Sequence, residues 1–329
     1  MKRLLLILLP IVSVDVLALP EGSEVTRGQA SMERAGQSLS ISQQSRRAVI
    51  EHDQFSIQAG ERVSIEQPDA QSVLLNRVRA GGSMSEIYGA LSANGQVFLV
   101  NPAGIVVGDQ AQIDVGGLLL TTHALTDESF LSDHLQLNAH ADAQRIAISG
   151  NIEVAPGSFV IVVAPSIEQT GRITAQFGQV SLVAADQASV YLNTGHWPRI
   201  EVEKASFDAW IEQTGVIDAQ QGLIEISAAH ASDLIDRVIY QTGQLNVASE
   251  REIVEVGGQT FIQRGEIRIA ARDENSQERG YIQLEGELNA DASSFNRSES
   301  NGSDRSGSNR NSSPRAGGNI DISAHAIRI

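Results

Sequence analysis

The sequence predicts an all-β chain wound as a solenoid, a parallel β-helix, on three observations. First, short segments recur in which a glycine precedes apolar/polar alternation: Gly178-Gln179-Val180-Ser181-Leu182, Gly222-Leu223-Ile224-Glu225-Ile226, Gly265-Glu266-Ile267-Arg268-Ile269 and Gly318-Asn319-Ile320-Asp321-Ile322. Alternation of period two marks a strand with one buried face, and glycine marks a corner. Second, a related set (Gln169-Thr170-Gly171-Arg172-Ile173, Gln213-Thr214-Gly215-Val216-Ile217, Gln241-Thr242-Gly243-Gln244-Leu245 and Glu285-Gly286-Glu287-Leu288) interleaves with the first. Gly222, Gly243, Gly265 and Gly286 then follow one another at steps of 21 or 22 residues. A unit of that size cannot bury its apolar face alone and must stack on the next. Third, helical signals are few.

Taken in order, residues 1–18 read as an export signal. Lys2 and Arg3 form a positive n-region, Leu4 to Val14 an apolar run, and Val16-Leu17-Ala18 a cleavage site, so the mature chain is expected to begin near Leu19. The apolar run is too short and too early for a membrane span. Residues 19–290 form the body of the predicted β-helix. Within it, Ser83 to Tyr88 and Thr126 to His134 read as short acidic helical turns. Residues 291–317 are rich in Ser, Asn, Arg and Gly and read as a flexible insertion. The pattern resumes at Gly318, so residues 318–329 read as a final partial coil. That coil stops at Ile329 within an apolar alternation. An unpaired strand there would invite aggregation, so a cap from elsewhere or a longer chain is expected.

Composition excludes several function classes. With 24 Lys+Arg against 40 Asp+Glu the formal net charge is −16, which disfavours nucleic acid or anionic lipid as partners. After the signal the only lysine is Lys204. The chain has no cysteine, so an exported fold must be held by its core alone. The histidines (His52, His123, His134, His140, His196, His230 and His325) show no metal-ligand spacing. Asp127-Glu128 and Asp133-His134 lie in a polar stretch and are expected to face solvent. The glycines precede strands rather than helices, so they do not form a phosphate loop. No catalytic residue, cofactor or metal is expected.

The most specific local feature is a turn. The alternating segment Gln96 to Val100 runs into Asn101-Pro102-Ala103-Gly104-Ile105. Proline fixes φ and glycine accepts unusual φ, so Asn-Pro and Ala-Gly define a tight corner. Upstream, Asn76-Arg77-Val78 reads as part of a second strand.

Together with Ala48-Val49-Ile50, Phe55-Ser56-Ile57, Gly60-Glu61, Gln67-Pro68, Asn76-Arg77-Val78, Leu91-Ser92-Ala93-Asn94-Gly95-Gln96-Val97-Phe98, Gly108, Gly116-Gly117-Leu118 and Thr121-Thr122, this corner resembles the secretion domain of two-partner secretion exoproteins. These include filamentous haemagglutinin, high-molecular-weight adhesins and related haemolysins. The resemblance implies a right-handed parallel β-helix with an N-terminal cap and short extra-helical strands. It also implies passage through the periplasm of a Gram-negative bacterium and recognition by a cognate outer-membrane β-barrel transporter with periplasmic domains. The end state it implies is secreted or cell-surface, with a role in adhesion to a host-cell or glycan receptor. The family's Asn-Pro-Asn-Gly-Ile motif falls on Asn101, Pro102, Ala103, Gly104 and Ile105, with alanine at its third position. Of a second motif, Asn-Pro-Asn-Leu, only Pro68 remains, and an aromatic often found before Phe55 is His52. Asn76, Pro68 and residues 101–105 are therefore the candidate recognition residues. The alternative is a carbohydrate-active β-helix enzyme such as a polysaccharide lyase, for which several carboxylates and a base must meet on one outer face.

Overall fold

The structure is a computed structural model describing residues 19–139, 143–192, 197–229, 239–247, 253–256, 259–262, 265–272, 281–290, 294–299, 319–324 and 326–328. The export signal, residues 291–293 and 300–317 of the predicted insertion, and Gly318 and Ile329 of the predicted final coil lie outside them.

The chain forms the predicted parallel β-helix. Three sheets of eleven, ten and eight strands run along it, and each coil contributes in turn to the ten-, eleven- and eight-stranded faces. One coil is Ala90–Ala93, Gln96–Val100 and Ile105–Val107, after which Gln112–Val115 returns to pair with the first. Within the eleven-stranded sheet, Ile50, Asn76, Leu99, Leu120, Val162, Leu182, Ile226, Ile269 and Ile322 pair residue on residue. They point into one continuous core that also holds Ile113, Ile148, Ile211 and Leu245. Each large aliphatic group buried there stabilises by roughly 1.5–3 kcal/mol.

The N-terminal end is closed by antiparallel pairing: Glu24–Arg27 on Arg47–His52, and Ala30–Ala35 on Ser38–Gln43. Leu19 is fully buried, and the Arg34 guanidinium holds the carbonyls of Leu19 and Pro20.

The repeat is subtler than the glycine spacing suggests. Paired positions Asn151 and Arg172 are 21 residues apart, but Arg172 and Val216 are 44 apart, because insertions lengthen some coils. Gly243 and Gly286 sit where the chain passes from the eight- to the ten-stranded sheet, whereas Gly222 and Gly265 sit where it enters the eleven-stranded sheet. The regular steps between Gly222 and Gly286 thus alternate two corners. Nor does a sharp turn require these glycines, since neither Gly215 nor Gly243 has positive φ. They are required by close stacking: a Cβ on Gly215 would lie within the carbonyl of Gly171, and one on Gly243 within that of Gly215.

Glutamines form a ladder beside that stack. Gln213 Nε2 donates to Gln169 Oε1 (3.0 Å) and Gln241 Nε2 to Gln213 Oε1 (3.1 Å), all three side chains being buried. Each Nε2 also donates to a glycine carbonyl two residues on, at 2.8 Å.

Strands of the eleven-stranded sheet were expected to bury one face. Phe159–Ala164 and Gln179–Ala184 are buried along their whole length. Their outer face is covered by a four-stranded antiparallel sheet outside the coil: His123–Ala124, His134–Ala139, Gln187–Tyr191 and Arg199–Lys204. Leu125, Phe130, Leu135, Leu137, Ala188 and Val190 complete this second core with Val49, Leu75, Phe98, Leu119 and Ile161.

Thr126 caps the short helix Asp127–Leu131, its hydroxyl accepting from the Ser129 N–H (3.2 Å), so the second predicted helical turn is present. The first is not: Ser85–Ile87 is a strand paired with Ile105–Val107, since its short alternation meets a free strand edge. Asp127 is also less solvent-facing than expected, being bonded to Arg77 (2.8 Å) and Arg27 (3.1 Å). Arg47 binds the carbonyls of Phe130 and Ser132 and the Asp133 carboxylate. These arginines fasten the helix to the first coils. In the stretch read as a flexible insertion, Ser294–Glu299 is a strand along Asn319–Ala324, where the final coil offers its edge.

Candidate functional site

The Asn101–Ile105 corner joins Gln96–Val100 of the eleven-stranded sheet to Ile105–Val107 of the eight-stranded one. Asn101 is 1% exposed. Its amide donates to Ser83 O and Ser85 Oγ, both at 2.9 Å, and its Oδ1 accepts from the Ala103 N–H at 3.0 Å. Gly104 N–H closes the turn onto Asn101 O (3.1 Å) at φ 109°, a conformation that favours glycine. The corner is held from both neighbouring coils: Asn101 N–H donates to Thr121 O, Gln144 N–H to Pro102 O, and Ser85 N–H to Gly104 O. Ile105 is fully buried, and only Pro102 and Ala103 reach the surface in part.

Asn76 is fully buried in the inner ladder, between Ile50 and Leu99. Its Oδ1 meets His52 Nε2 at 3.1 Å, and His52 Nδ1 meets Ser23 Oγ at 2.8 Å. Burial pushes the His52 ring down to about 4, so it is neutral near pH 7. Nε2–H then donates to Asn76 and the Ser23 hydroxyl donates to Nδ1. His52 also packs edge-on to Phe55 at 5.2 Å. His52 thereby ties the N-terminal segment to the second coil, a role for which the sequence offers no signal beyond its place before Phe55. Asn76 Nδ2 has no partner.

Pro68 is exposed at the opposite end of the coil, where the chain enters Val73–Val78. Its neighbour Gln67 is buried and clasped by Asn94, whose Oδ1 accepts from the Gln67 N–H (2.7 Å) and whose Nδ2 donates to Gln67 O (2.8 Å). The three candidate elements are therefore not one site. The 101–105 corner and Pro68 lie at opposite ends of adjacent parallel strands, and Asn76 is internal.

Among the described residues no group of three or more His, Asp or Glu is placed to hold a metal, and no helix is long and apolar enough to cross a membrane. His134 stacks on Tyr191 (4.3 Å) and bonds Ser189, which bonds Glu203. There the serine lies between histidine and carboxylate and is fully buried, so the histidine is not oriented by the carboxylate as a nucleophile's base must be.

The chain matches the TPS secretion domain over residues 17–284. It is 29% identical over 215 residues to a heme/hemopexin-binding protein of Haemophilus influenzae, an alignment covering 63% of this chain and 23% of that protein. A second heme/hemopexin-binding protein from H. influenzae is 34% identical over 132 residues, covering 40% and 14% respectively. The chain thus spans less than a quarter of the length of these relatives. Among solved structures, the HMW1 secretion domain of H. influenzae superposes with a TM-score of 0.67 at 24% identity, covering 82% of this chain and 72% of that one, and shares its fold.

Proposed function

This chain belongs to the TPS secretion domain family, and on that premise we propose that Asn101–Ile105 is the element its transporter reads, and that it is read before the coil closes. The family implies a cognate outer-membrane transporter as partner and export through the periplasm to the surface or the medium. The observation that carries the recognition reading is the burial of Asn101: in the closed coil every polar atom of its side chain is occupied. A partner that reads this side chain must meet it while the segment is extended, as strand addition to a sheet edge would allow.

We assign no catalysis to the chain, and adhesion to a host-cell or glycan receptor is the surface role attached to the exported form. The names of the two H. influenzae relatives favour a second reading, capture of heme or of hemopexin by the exported protein. Binding of the exported protein to heme, to hemopexin and to cultured cells separates the two. Turnover of a polysaccharide that survives stringent purification would reverse the non-enzymatic assignment.

Recognition is tested by replacing Asn101 and Pro102 with alanine and following export in cells carrying the transporter, with unfolding of the purified variant measured in parallel. Lost export with a fold that still forms supports the motif as a recognition element. Unchanged export removes that role.

A further inference from the structure

One ladder on the outer face of the eleven-stranded sheet changes character along the molecule. Residue on residue it reads Val49, Leu75, Phe98, Leu119, Ile161, Ser181, Glu225, Arg268 and Asp321. The first five are buried and apolar, and Phe98 sits edge-on between Phe130 (6.1 Å) and Phe159 (6.4 Å). From Glu225 onward the ladder is charged and suits water.

The apolar part has one cover among the described residues, and that cover is built from two segments well separated in the chain. Leu125, Phe130, Leu135 and Leu137 supply half of it, and Ala188, Val190, Ile200 and Val202 the rest. The two halves depend on each other, since His134–Ala139 pairs along Gln187–Tyr191 with Leu135 opposite Val190. A solenoid with one core can add stability coil by coil. Coils whose outer face is also apolar cannot, because a sheet buried on one side only leaves its other apolar face in water.

We propose that the extra-helical sheet makes the coils from Arg47–His52 to Gln179–Ala184 a single folding unit, which locks only when residues 187–204 have arrived, while the coils from Leu223–Ala229 onward form a second unit that opens independently. Together with export this gives the recognition corner a window: Asn101 stays readable until the chain through Lys204 is delivered. The window rests on the export reading; the two-unit architecture does not.

Hydrogen exchange on the purified full chain tests the architecture without any transporter. In a Leu135→Asn/Val190→Asn variant the amides of Val73–Val78, Gln96–Val100 and Gly117–Thr121 are expected to exchange at least about tenfold faster, with Leu223–Ala229 unchanged. Should that variant not fold, Val190→Ala reads the same spatial pattern at smaller amplitude. Ile269→Ala, in the inner ladder of the later coils, should do the reverse. Equal acceleration in both regions, or early strands that stay protected when their cover is broken, would overturn the proposal. Failure of export of the Leu135→Asn/Val190→Asn chain in cells with the transporter, although its corner stays readable for longer, would count against the recognition reading and leave the exchange result standing.

Discussion

Asn101 carries four roles in one side chain: it holds two groups of the preceding coil, caps its own turn, and fills a buried site. Alanine there leaves the buried Ser85 Oγ without this donor, and the cost should be about 1–3 kcal/mol in denaturant unfolding. His52 makes a prediction in pH. Its folded value is about 4 against an ordinary 6.5, so between those values the unfolded chain binds a proton that the folded chain refuses. Stability is full above pH 6.5 and falls as pH drops toward 4, by at most about 3 kcal/mol from this group. His123, buried against Ala185 O and likewise lowered by burial, acts with the same sign. A series of urea midpoints should show a flatter slope in this window for His52→Gln. Phe177 is a third case: it sits at φ 56°, where a neighbouring coil places Gly157 at φ 79°. Phe177→Gly should relieve that conformation and, the ring being exposed, raise the stability measured in denaturant unfolding by up to about 1 kcal/mol. The corner's turn chemistry was legible in the sequence, because proline and glycine act within a few bonds. The pairing of His52 with Ser23 and Asn76 was not, because those groups are 29 and 24 positions away and meet only when coils stack.

Among the elements, the glutamine ladder and the glycine stack set how closely one coil approaches the next. Gly215→Ala puts a methyl group into the carbonyl of Gly171, and the backbone has little room to move because Gly243 rests on Gly215 in turn. The loss should be about 1–3 kcal/mol or more in thermal or denaturant unfolding. Gln213→Leu should cost more than Gln241→Leu. The central glutamine both donates to Gln169 and accepts from Gln241, whereas the terminal one ends in an unpaired Oε1. A denaturation series on the two variants checks the order. The repeated Gln-Thr-Gly was visible in the sequence as a repeat, but its reason was not. Alternation tells which way a side chain points, and it does not tell that the glutamine above will donate to the one below. The same limit explains Ser85–Ile87, whose alternation over three residues is too short to mark a strand until Ile105–Val107 lies alongside.

For the molecule as a whole, export is the test of the family's implication. Cells producing the chain with its transporter should place it at the surface or in the medium, and cells lacking the transporter should retain it in the periplasm; fractionation and immunoblotting decide. The β-helix and its recognition corner follow from local chemistry: period-two alternation makes strands, proline and glycine make the turn at 101–105, and stacking is the one way such short strands bury their apolar sides. The capped helix at Asp127–Leu131 follows from local chemistry as well, through its Thr126 cap. Three-dimensional packing alone settled that the early coils have two apolar faces, that His123–Ala124, His134–Ala139, Gln187–Tyr191 and Arg199–Lys204 meet as one sheet over the outer one, and that Asn101 is enclosed. The physical reason is separation. These groups come together across tens to more than a hundred residues, through the register of coils, and no short-range pattern encodes which distant segment will cover which face.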